Sequence, residues 1–170
     1  MPLNTVLGGV RKFIATIGAC FLMVWSLKTL ADNQYSVVEI VENTNTVIYS
    51  MDASDLSPKD RAELTWLVVI SWDYSGSSVN GMPGKDSYEQ IRTLKKALSS
   101  KFEGKQDRHW TYNRTGNDLF EMAFYIDDRE RFINELNSTL QDHPRYPIQI
   151  NFYKDEEWQD FQVVKQKLGL

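Results

Sequence analysis

Trp66–Tyr74 (WLVVISWDY) puts a large apolar or aromatic side chain at each even position, while its odd positions pass from Leu67 and Val69 to Ser71 and Asp73. Such a pattern predicts a strand buried on both faces at its start and on one face at its end. The loop Ser75–Gly84 follows; Gly76, Gly81, Pro83 and Gly84 predict that no regular structure survives in it. From Lys85 the period lengthens. Tyr88, Ile91, Leu94, Lys95, Leu98 and Phe102 share one face of a helix over Lys85–Phe102.

Alternation then returns. Arg108–Thr115 carries Trp110 and Tyr112 on one face, and Leu119–Ile126 carries Phe120, Met122, Phe124 and Ile126 on one face. Gly116-Asn117 between them reads as a tight hairpin turn, where positive φ is required. Asp127-Asp128 cap a second helix to about Leu140, with Phe132, Ile133, Leu136 and Leu140 inward, and His143–Pro147 breaks it. Ile148–Tyr153 is a last strand, and Asp155–Leu168 a short amphipathic helix around Trp158, Phe161 and Val164.

The order from Trp66 is therefore β-α-β-β-α-β, which predicts an α+β fold of ferredoxin-like, split-βαβ type. Ahead of it, Tyr35–Val41 and Thr46–Met51 predict a β-hairpin, and Ser57-Pro58-Lys59-Asp60 a helix start with Ser57 as cap and Pro58 in the first turn. The chain divides into residues 1–31, an extension over 32–64 and a main domain over 65–170. Strand directions in that topology bring three connections to one end: Ser75–Gly84, Arg114–Asn117 and Asp142–Pro147. Two elements compete to cover the sheet face opposite the helices, the N-terminal hairpin and the C-terminal helix.

Residues 1–31 read as an address. Arg11 and Lys12 precede the apolar run Phe13–Leu27, and Thr29 and Ala31 suit a signal peptidase cutting before Asp32. The run is shorter than the ~20 residues of a membrane-spanning helix. A cleaved secretory signal, an uncleaved anchor and a lipoprotein signal at Cys20 all fit, and all put the domain outside the cytoplasm, in the periplasm or cell envelope. Membrane contact is expected only through residues 13–27, if they are retained.

Composition narrows the chemistry. The net charge is −4 over 170 residues, and residues 1–31 contribute Arg11, Lys12 and Lys28 with no acid, so the rest is more acidic still. An acidic domain repels phosphate backbones, which excludes nucleic acid as the expected partner. Cys20 is the only cysteine, so the domain itself has no disulfide, thiol nucleophile or cysteine metal ligand. His109 and His143, the two histidines, fall at opposite ends of the predicted sheet. Asp155-Glu156-Glu157 lacks the spaced loop of a calcium site. Ser75–Ser78 has no base at motif spacing. No metal or cofactor is expected.

Four motifs carry a resemblance: Trp72-Asp73-Tyr74, Asn80-Gly81-Met82-Pro83, Arg114-Thr115-Gly116-Asn117 and Asp155-Glu156-Glu157-Trp158. In this order and at these distances the chain resembles the bacterial domain-of-unknown-function family 695 over roughly residues 60–165, with the hairpin a weaker match. The resemblance implies no established activity. Some relatives carry the domain beside one similar to a regulator of an RNA-degrading enzyme, and the N-terminal address departs from those.

Candidate binding residues are Asn80, Gly81, Met82, Pro83, Arg114, Gly116, Asn117 and Arg145, gathered by topology on one rim. Arg114 is either an anion anchor or the partner of an acid of its own domain, Asp73 or Asp118. Two functions are expected from this pattern. The first is an exported, non-enzymatic domain that binds another protein, as an immunity-type inhibitor or an envelope regulator. The alternative is a small-ligand or anion binder, or an enzyme, using the rim, with Asp73 or His143 as acid or base.

Overall fold

The computed structural model describes residues 35–170; the targeting readings fall outside them. Strands β1 (Tyr35–Glu42) and β2 (Asn45–Asp52) form a hairpin, followed by helix α1 (Pro58–Glu63), β3 (Trp66–Asp73) and a 3-10 turn at Ser75–Ser77. The two-residue strands β4 (Ser78–Val79) and β5 (Met82–Pro83) lead into α2 (Lys85–Phe102). Then come β6 (Arg108–Gly116), β7 (Leu119–Ile126), α3 (Arg129–Leu140), β8 (Gln149–Lys154) and α4 (Gln159–Leu168). Six strands form one antiparallel sheet in the order β1-β2-β6-β7-β3-β8, and β4-β5 make a separate small ladder. The architecture is α+β.

Local chemistry explains the elements. The Ser57 hydroxyl accepts a hydrogen bond from the Asp60 amide (3.2 Å) with Pro58 in the first turn, as the sequence predicts for a helix start. Asp128 caps α3 through the Arg131 amide at 2.7 Å. The segment over 75–84 departs from its expectation: it is not irregular, because Asn80-Gly81 closes the β4-β5 ladder. The C-terminal helix also starts later than Asp155. The Asp155 carboxylate accepts from the amides of Gln159 (2.8 Å) and Asp160 (3.0 Å), ahead of a helix that opens at Gln159.

Two cores lie on the two faces of the sheet. Helices α2 and α3 bury Ile91, Leu94, Leu98, Phe102, Phe132 and Leu136 against Val68, Ile70, Trp72, Phe120, Phe124 and other residues of one face. On the other face, Leu67, Ala123, Tyr125, Tyr49 and Tyr112 pack beneath Trp158, Phe161, Val164 and Leu168, with Leu64 after α1. Of the two elements competing for this face, the C-terminal helix covers it, while the hairpin extends the sheet edge through β2-β6 pairing.

Strand β6 overturns one expectation. Trp110 and Tyr112 do not share a face, because the β6-β7 register slips between them and leaves Thr111 as the extra residue. Trp110 packs toward the α2/α3 core and Tyr112 toward the α4 core. Thr111 is fully buried, and its hydroxyl donates to the Ala123 carbonyl at 3.2 Å. A hydroxyl able to bond the neighbouring strand allows a polar residue to be buried at the slip. Beyond the bulge, Asn113 and Thr115 fall on the α2 side and Arg114 on the α4 side.

Candidate functional site

Three two-residue turns meet at one end of the sheet. Asn43-Thr44, Asn80-Gly81 and Asn117-Asp118 all have positive φ, a conformation that asparagine and glycine tolerate best and that matches the twist of a hairpin. The β6-β7 turn is thus centred one residue later than Gly116-Asn117. The turns are tied together. Asn45 Nδ2 donates to Asn117 Oδ1 (2.9 Å), the Asp118 amide to the Gly81 carbonyl (2.9 Å), and the Tyr74 hydroxyl to the same carbonyl (3.0 Å). A Cβ on Gly81 would sit 2.8 Å from Asn45 Cγ. The structure therefore gathers Asn80, Gly81, Gly116 and Asn117, with Asn45 as an unforeseen party, and the Gly81 and Gly116 carbonyls are already occupied by groups of the domain.

Arg114 points elsewhere. Its side chain is buried on the α4 face, with Nη2 2.8 Å from Glu42 Oε2 and Nη1 donating to the carbonyls of Gly116 (3.2 Å) and Leu119 (3.3 Å). Its acid partners are Glu42 and, at 4.0 Å, Glu121, in place of the expected Asp73 or Asp118. Glu42 also pairs with Lys167 of α4. Burial pushes the Glu42 carboxyl up, but the hydrogen bonds from Lys167 and Arg114 outweigh that and hold it at about 2. Arg145 is exposed, without an ion pair among the described residues, on a loop that touches the sheet through Tyr146 on Trp72 (6.0 Å). The three connections do lie at one end of the sheet, where Asp73 pairs with Leu119 and Ser71 with Gln149, but the candidate side chains there turn to different faces.

Met82 and Pro83 face a different feature, a groove of about 210 Å³ with Ile48, Ser50, Tyr88, Lys95, Asn113 and Thr115. It exists because the hairpin carries the sheet past the edge of α2, leaving part of β2 and β6 without a helix above. The apolar stripe of α2 that ends in this groove contains one lysine, and that was the legible sign of it.

The remaining polar residues contact neighbours within the domain. His109 lies 3.7 Å from Asp52 and against Trp158, and burial lowers its pKa although Asp52 opposes the shift. His143 Nδ1 shares a hydrogen bond with the Tyr146 hydroxyl (2.9 Å). The exposed Asp73 accepts from the Ser75 amide at 2.8 Å. Ser77 and Ser87 hydroxyls touch only each other, at 2.6 Å, among side chains. Asp155 receives the Tyr125 hydroxyl at 2.5 Å, and Trp158 stacks parallel on Tyr125 at 3.9 Å, so the acidic motif of the sequence is a structural clasp. No group of three metal-ligating side chains occurs among the described residues. No described helix is long and apolar enough to cross a membrane.

What these features define is an α+β domain with helices on both faces of its sheet, its turns bonded to one another, and an open flank on the hairpin side. The chain belongs to the family of unknown function DUF695, whose model matches residues 35–163. That span takes in the hairpin as well as the four motifs. No curated protein and no solved structure matches the chain.

Proposed function

We propose that this chain is an exported, non-enzymatic protein-binding domain that holds an extended segment of its partner along the outer edge of β1. An immunity-type inhibitor or an envelope regulator would work in this way. One observation carries the reading: among the described residues β1 has a strand on one side only, and its exposed side chains include Tyr35 (49%), Val37 (72%) and Val41 (73%). The two-residue turn makes Glu42-Asn45 the hydrogen-bonded closing pair, so the N–H and C=O groups of Tyr35, Val37, Glu39 and Val41 face outward. The strand has no proline or lysine to block an added strand. Glu39 is its exposed charge, and Glu103 and Asp52 lie near Tyr35. A fitting partner segment alternates apolar residues and carries lysine or arginine opposite Glu39.

The ferredoxin-like reading of the core belongs here too. The order β6-β7-β3-β8, with α2 and α3 on one face as the crossovers, supports it.

The test uses the full chain against a displayed library of random peptides. Selected sequences should be rich in alternating β-branched or aromatic residues with a basic residue among them. Val37→Pro should abolish their binding while leaving the melting temperature within a few degrees, because proline is tolerated where a strand N–H faces outward. Undiminished binding to V37P would end the proposal.

A further inference from the structure

The groove beside α2 has a chemistry that the turn cluster lacks: each of its polar side chains can donate a hydrogen bond, and none is acidic. Lys95 is half-buried there, with no hydrogen bond or ion pair to another described residue, and no carboxylate lines the groove. Burial is the one cause acting on its pKa, and it lowers it, as expected of an ammonium with no counter-charge nearby. Asn113 Oδ1 accepts from the Trp110 indole N–H at 3.1 Å, which orients the side chain and leaves its amide NH₂ to donate into the groove. The Ser50 and Thr115 hydroxyls complete a polar floor on the sheet. Ile48, Met82, Pro83 and Tyr88 form apolar walls, and Tyr88 is more than half exposed.

We propose that this groove binds a carboxylate attached to a small apolar body, the carboxylate meeting Lys95 and Asn113 and the body lying on Ile48, Met82, Pro83 and Tyr88. At about 210 Å³ the space is smaller than the ~300–1,000 Å³ of pockets that take drug-sized ligands, so the ligand is about one amino acid in size. Its source is a free organic acid or the C-terminal residue of a polypeptide, which share this chemistry. The anion site on this surface is then at Lys95, whereas Arg114 is buried and already paired with Glu42. The proposal does not require strand addition at β1 and is tested separately from it.

The experiment titrates the full chain with N-acetyl-leucine, N-acetyl-leucinamide and a hexapeptide ending in a free C-terminal leucine, following Lys95 and Met82 side-chain NMR signals. The acid should bind at least about tenfold more tightly than the amide. Lys95→Met, which keeps the packed stem and removes the charge, should erase that preference. Tyr88→Ala should weaken acid and amide together and leave their ratio intact. Tighter binding of the hexapeptide than of N-acetyl-leucine identifies a chain end as the ligand, and the reverse identifies a free acid. Equal binding of acid and amide, no saturable shift at Lys95, or an acid preference that survives in K95M would overturn the site.

Discussion

Replacing Arg114 with alanine separates an anion anchor from a structural cation. An anchor waiting for a ligand would be removed from the unliganded protein at little cost. Arg114 instead spans the hairpin and the β6-β7 turn, meeting Glu42 at 2.8 Å and the carbonyls of Gly116 and Leu119 at 3.2 and 3.3 Å. Removing one member of a buried pair costs about 3–5 kcal/mol. Glu42 keeps Lys167 in the variant, which argues for the low end, about 3 kcal/mol. For a domain of this size that lowers the melting temperature by roughly 10 °C. Urea denaturation at neutral pH reads the loss, and a double-mutant cycle with Glu42→Gln should return a coupling of at least about 1 kcal/mol.

The pH dependence gives a second check on the same pair. Glu42 sits at about 2 when folded, against an ordinary 4.5. Its pairing therefore stabilises the fold fully above the ordinary carboxylate range, and that contribution disappears as pH falls through about 2. The gap between wild type and R114A should narrow over the same window. A variant within about 0.5 kcal/mol of wild type at neutral pH, the size of an ordinary surface change, would refute the structural assignment of Arg114.

Three further outcomes follow from the packing. Trp158→Ala should cost about 3–5 kcal/mol, since the indole stacks on Tyr125 and donates to the Leu64 carbonyl at 3.0 Å; a loss under about 1.5 kcal/mol in urea would contradict that role. Gly104→Ala should cost about 1–2 kcal/mol for its positive φ alone, because a Cβ there meets open space. Gly116→Ala should cost clearly more, since its Cβ would lie 2.3 Å from the Thr46 carbonyl oxygen and force β2 from β6; equal losses would count against this pairing. Glu121→Gln should raise the melting temperature at neutral pH. Burial lifts the Glu121 carboxyl despite Arg114, helped by the charges of Asp160 and Glu42, so ionisation costs stability above its folded pKa. The gain should shrink as pH falls into the carboxylate range, and a constant gain would refute the cause.

Periodicity carried most of the fold into view. Trp66–Asp73, Lys85–Phe102 and Leu119–Ile126 lie where their repeats of two and of three to four put them. The miss in β6 has a definite origin. A bulge adds one residue without changing composition, and Arg-His-Trp-Thr-Tyr-Asn alternates as well with it as without it. By the same parity Asn113 would face away from Trp110 and the α2 side, where it in fact lies, and the acid that pairs with Arg114 is Glu42, not Asp73 or Asp118. Asn80-Gly81 and Asn117 were legible as turn residues, whereas their bonding to Asn45 depended on a hairpin register that periodicity does not specify. Lys95 was visible as a lysine inside an apolar stripe, but its lack of a counter-charge is a property of the assembled surface.

The slip at Thr111 ties the two layers of the domain together at β6. Here β6 sends Trp110 into one core and Tyr112 into the other within three residues, and β7 beside it does the same with Phe124 and Tyr125. Peeling α4 away uncovers strands on which α2 and α3 also depend. The two layers should therefore melt in one transition, with the amides around the bulge among the last to exchange with solvent.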